Sequence, residues 1–73
     1  MNMSSVHLSN LQLMANILGQ GLFTDLLTQL PDSFFRLQAC DQEQIWFKML
    51  KEANKGQKDT NVLARMATET MKW

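Results

Sequence analysis

His7 and Cys40 are the side chains in this sequence best suited to nucleophilic or proton-transfer chemistry near neutral pH, and there is one of each. They fall on different predicted elements, with no thiol–imidazole spacing between them. Cys40 follows Ala39 and precedes Asp41, with no cation beside it in sequence to favour a thiolate, so it reads as a small buried filler. A lone cysteine excludes an internal disulfide and any cysteine-based metal site. Gly19-Gln20-Gly21 does not read as a phosphate loop, because it lacks both a preceding strand and a Lys-Ser/Thr ending. Carboxylates are not paired at a spacing useful for acid–base work. The expectation is a protein without enzyme activity, cofactor or metal.

The chemistry left is that of binding. Successive helical residues point about 100° apart, so Phe34 and Phe35 cannot both face one core, and neither can Trp46 and Phe47. In a chain of 73 residues at least one ring of each pair is expected at the surface or its edge. Exposed aromatics supply large contact area and methionine adapts its shape; the chain has six methionines. Phe34, Phe35, Trp46, Phe47 and Met49 are therefore candidate partner-binding residues. Lys48, Lys51, Lys55, Lys58 and Arg65 form a candidate charged rim.

These residues must be carried by helices. Leu8, Leu11, Ala15 and Leu18 recur at helical spacing, widened by Met14 and Ile17, and Ser4 or Ser5 precedes them as a cap. This predicts a first helix over about residues 5–18, closed by a break at Gly19 and Gly21. Phe23, Leu26, Leu27 and Leu30 make a second stripe over 22–30, which Pro31 stops. A short third helix follows over 32–39. Asp41 and Gln44 form a capping-box pattern opening a fourth helix over 42–54, which Gly56 closes. Asp59 or Thr60 caps a fifth over 60–71. No apolar–polar alternation of strand length occurs. The fold expected is all-α, a compact single-domain bundle of four to five short helices spanning 1–73.

Charge bounds the partner. Seven Lys plus Arg balance seven Asp plus Glu, whereas a protein relying on phosphate contacts carries a basic surplus. All the basic residues lie from Arg36 onward, which leaves that half mildly positive and the first half nearly uncharged. The uncharged first helix offers a second docking face or a dimer seam, and homodimerisation is compatible with every reading. The N-terminal stretch has no early Lys or Arg and no long apolar run, since Asn10, Gln12 and Asn16 interrupt it. Neither a signal peptide nor a membrane span is expected, and the single cysteine suits a reducing cytoplasm.

Ile45-Trp46-Phe47 resembles the core of the DNA-reading helix of homeodomains. That resemblance implies an Asn just beyond the aromatics to read adenine, but Met49 stands there, so the likeness concerns packing. A looser helix-turn-helix over residues 46–70, reading with Asn61, Arg65 and Thr68, is the alternative function. As a whole the chain is small, helical, Met-rich and without an active-site pattern, with Phe34, Phe35, Trp46 and Phe47 as its nearest markers. In that character it resembles small phage-encoded host-takeover proteins that bind host RNA polymerase. The resemblance implies a regulator in the host cytoplasm that inhibits or redirects transcription by occupying a polymerase surface, with exclusion of a sigma factor as one route.

Overall fold

The computed structural model describes residues 2–71, with side chains from residue 9 to 71. Within them the chain forms five helices and no strand: α1 (Asn2–Leu18), α2 (Gln20–Gln29), α3 (Asp32–Phe35), α4 (Ala39–Asn54) and α5 (Thr60–Thr70). α1 packs on α2 and α4, and α5 closes the ring by packing on both α2 and α4. The single turn of α3 links α2 to α4. A radius of gyration of 11.3 Å matches the roughly 11 Å expected of a compact chain this long.

The punctuation between helices explains the architecture. Gly19 alone makes the first break: its φ of 94° lies in the region glycine enters without a steric penalty. Its N–H still bonds Ala15 O at 2.8 Å while its carbonyl accepts from Phe23 N at 2.9 Å. Gly21 is inside α2, so it is not part of the break. Leu30, with ψ 137°, is pushed to extended geometry by Pro31. Gly56, at φ 112°, ends α4 in a Schellman motif, with Gly56 N bonding Ala53 O at 3.0 Å and Gln57 N bonding Glu52 O at 3.1 Å.

Besides the early start of α2 at Gln20, helix boundaries differ from the sequence expectation at three places. α1 begins at Asn2, so Ser4 and Ser5 lie inside it rather than before it; no Gly or Pro interrupts the segment. α3 stops at Phe35 instead of 39, because Arg36 and Leu37 make i→i−3 bonds to Ser33 and Phe34 and Gln38 turns extended. α4 consequently starts at Ala39, with Gln38 as a cap whose side chain makes no bond. Asp41 is therefore not the cap but a first-turn acid, where its charge complements the helix dipole. Asp59 does cap α5, accepting from Asn61 N at 3.0 Å.

The core gathers Met14 and Leu18 of α1, Leu26 of α2, Phe34 of α3, Trp46 and Met49 of α4, and Leu63 and Ala67 of α5. Met14 is fully buried while Leu11 and Ala15 are half-buried, so Met14, not they, centres the stripe of α1. Phe34 meets Trp46 edge to face at 5.5 Å between centroids, a favoured aromatic geometry. Trp46 Nε1 is buried without a hydrogen-bond partner, a penalty set against the large apolar area of the indole.

Candidate functional site

The two aromatic pairs split. Phe34 and Trp46 are sealed in the core, whereas Phe35 is 46% and Phe47 59% exposed. Met49 is fully buried as well. Phe34, Trp46 and Met49 therefore leave the set of partner-binding candidates: their helices turn them inward, and nothing outside can touch them. Phe35 rests its ring against Phe34, edge to face at 5.1 Å. Phe47 stands at the rim of a groove.

That groove runs between α1 and α4 and has a volume of about 360 Å³. Asn10, Leu13 and Ile17 line it from α1, and Phe47, Leu50, Lys51 and Asn54 from α4. Each set spans eight residues, two helical turns or about 10 Å. Leu13 is 50% exposed, so two large apolar side chains face water from opposite walls. Covering each would gain roughly 1 kcal/mol, about half the value of burying such a side chain completely. Lys51 Nζ sits 5.2 Å from the centroid of the Phe47 ring, a cation–π contact that places an ammonium beside the apolar floor. Asn10 Nδ2 is buried without a hydrogen-bond partner, leaving an unused donor in a side chain of the α1 wall.

The charged-rim residues do not act as one ridge. Lys48, Lys51 and Lys55 are exposed along the outside of α4. Lys55 pairs with Glu52 at 3.4 Å, and Lys48 borders a different hollow, of about 280 Å³, with Gln44, Ile45 and Thr70. Lys58 donates from Nζ to Ile17 O at 2.6 Å, placing a cation at the negative end of α1, where it complements the dipole. Arg65 lies on α5, in one exposed stripe with Asn61 and Glu69. Thr68 Oγ1 donates to Ala64 O at 3.0 Å and so is engaged with its own helix.

Cys40 is exposed in the first turn of α4; the expectation of a buried filler is wrong because α4 starts earlier than its cap signal suggests. His7 lies outside the described side chains. No three His, Cys, Asp or Glu side chains among the described residues gather in a metal-binding arrangement. No helix among them is long and apolar enough to cross a membrane.

Sequence reasoning missed Leu13, Asn10, Ile17, Leu50 and Asn54 as groove residues. Leu13 carried a usable signal: it is a large apolar residue one position off the stripe of a helix with no Lys, Arg, Asp or Glu. The groove itself carried none, since it depends on how far apart α1 and α4 settle. Comparison with known proteins finds no matching family model, no significantly similar curated protein and no significantly similar solved structure.

Proposed function

We propose that the protein is a non-enzymatic regulator that binds another protein through the α1–α4 groove. Phe47 carries this reading: an aromatic ring 59% exposed beside an apolar hollow has the position of an interface anchor. Phe35 supplies a second, separate exposed ring. The target proposed is bacterial RNA polymerase, with the protein acting in the host cytoplasm as a phage-type inhibitor or redirector of transcription. Support for that target is the character of the chain: small size, zero net charge and an apolar anchor.

The helix-turn-helix alternative draws less support. The outward stripe of α5 holds Asn61, Arg65 and Glu69, one cation and one anion, and a carboxylate repels phosphate. Lys58, which that reading would place on the DNA backbone, is engaged with Ile17 O.

Purified bacterial RNA polymerase incubated with the protein at equal concentration is the test. The expected outcome is a stoichiometric complex that Phe47→Ala weakens at least tenfold while circular dichroism stays unchanged. If no complex forms, polymerase is not the target. If the complex forms and is indifferent to Phe47→Ala and Leu13→Ser, the groove is not the docking site. Duplex DNA binding that falls steeply with salt and responds to Lys51→Glu with Lys58→Glu would move the function to nucleic acid.

A further inference from the structure

One face of α4 carries more order than an anchor for an outside partner requires. At 100° per residue, Cys40, Glu43, Phe47 and Asn54 fall on one stripe. Cys40, Phe47 and Asn54 are exposed and Glu43 is half-buried. Lys51, also exposed, flanks the stripe one turn after Phe47, and Glu43 lies one turn before it. The face therefore reads acid, ring, base along the helix, centred on Phe47. A second copy laid antiparallel across it, with its own Phe47 at the crossing point, places Glu43 of each copy beside Lys51 of the other. A parallel copy would instead set Glu43 on Glu43 and Lys51 on Lys51.

We propose that the α4 face pairs with a second copy of this chain in an antiparallel, two-fold symmetric dimer centred on Phe47, closed by two Glu43–Lys51 contacts between copies. The arrangement is self-complementary, as a two-fold interface must be. Each copy presents a protruding ring next to an open groove of about 360 Å³, so each Phe47 fills the groove of the other beside Leu13. Glu52, the other acid on this stretch of α4, pairs with Lys55 and does not compete for Lys51, which lies over its own Phe47 ring and exchanges that cation–π contact for Glu43 of the other copy. The patch is small, which places the dimer among weak, reversible pairs. It uses the face proposed above for a protein partner, so pairing and partner binding exclude one another.

Sedimentation over roughly 1–500 μM, the range in which pairs of this size associate, tests the pairing with the full chain. Wild type is expected to shift from monomer to dimer with concentration, and Phe47→Ala to stay monomeric. Glu43→Lys and Lys51→Glu should each weaken association at least tenfold, and the two together should restore it. Cysteine geometry supplies a second readout. In the antiparallel pair Cys40 faces position 54 of the other copy, so Asn54→Cys should give a covalent dimer with a short bis-maleimide. Neither wild type nor Asn54→Cys with Cys40→Ser should link efficiently. A chain monomeric throughout, a dimer indifferent to Phe47→Ala, a charge swap no better than its single reversals, or ready Cys40–Cys40 linking would each overturn the proposal. None of these results alters the polymerase test, which is run on the monomer at low concentration.

Discussion

The seam between α2 and α5 and the seam between α1 and α4 are built differently. Across the first, Thr60 Oγ1 donates to Asp25 Oδ2 at 2.5 Å and Gln29 Nε2 donates to Thr60 Oγ1 at 2.9 Å, while within α2 Gln29 Nε2 also donates to Asp25 Oδ2 at 2.9 Å. Thr60 is 6% exposed, so the hydroxyl is satisfied where little water reaches. Across the second, no side-chain hydrogen bond joins α1 to α4 among the described residues; the contact is apolar and opens into the groove. Directional bonds fix the first pair of helices in one register. The second pair is held by packing, which tolerates a gap and leaves apolar surface for another molecule. Both seams share one core; only the α1–α4 side leaves large apolar side chains, Leu13 and Phe47, facing water across a groove.

Removing the largest side chain of the shared core should have the largest effect. Trp46 is fully buried against Phe34, and aromatic-to-alanine changes in cores cost about 3–5 kcal/mol. A domain of this size holds roughly 4–11 kcal/mol in total. Trp46→Ala should therefore leave a large unfolded fraction in mild urea. A loss below about 1.5 kcal/mol, smaller than burial alone implies, would show that Trp46 is not packed into the core as its burial indicates.

Breaking the polar lock comes next. Asp25→Ala removes the acceptor from the Thr60 hydroxyl and should cost about 1–3 kcal/mol, the penalty of an orphaned, nearly buried donor. Thr60→Val removes the hydroxyl itself and should cost less in the Asp25→Ala background than in wild type. A double-mutant cycle by urea denaturation should return a coupling of at least about 0.5 kcal/mol. Additive costs would mean that the α2–α5 seam is held by packing alone, and the contrast between the seams would disappear.

How much of this was legible in the sequence follows from which interactions are local. Pro31, Gly19 and Gly56 act on their own backbone, so the helix count and most boundaries could be read from residue type. The aromatic pairs had to split for the same reason, since 100° per residue is a property of one helix. Which ring faces inward is decided by neighbouring helices, and sequence spacing left that open for Phe34 against Phe35 and Trp46 against Phe47. The start of α4 was misplaced because Asp41 has strong capping chemistry, while the chain's path out of α3 sets the real start at Ala39. The lock of Asp25, Gln29 and Thr60 joins residues on helices far apart in the chain, and no local pattern announces it.

Lys58 probes the boundary between the two kinds of seam. Its ammonium is the charged tie from the loop after α4 to the end of α1. Lys58→Met should lower stability by roughly 0.3–1 kcal/mol at low ionic strength, the usual worth of a cation at a helix C-terminus. Because the side chain is exposed, salt should shrink that difference. An equal loss at high salt would show that the Lys58 stem contributes through packing and not charge.

The smallest effect on the fold belongs to the residue with the largest expected effect on binding. Phe47→Ala gives up the part of the ring that leans on the groove wall and its contact with Lys51. It also replaces an aromatic with the best helix former, which returns several tenths of a kcal/mol on an exposed helix face. The two terms oppose each other, and net stability should change by less than about 1 kcal/mol. Leu13→Ser on the facing wall loses less apolar contact but gains no propensity, so its cost should be similar. Thermal unfolding of the two variants beside Trp46→Ala makes the contrast sharp, since Trp46 and Phe47 are chain neighbours on one helix. If Phe47→Ala proves as damaging as Trp46→Ala, the ring supports the fold and the α1–α4 seam is not an open one. If it leaves the melting curve nearly in place, Phe47 has little to do in the isolated fold, and its exposure is to be explained by what it meets outside it.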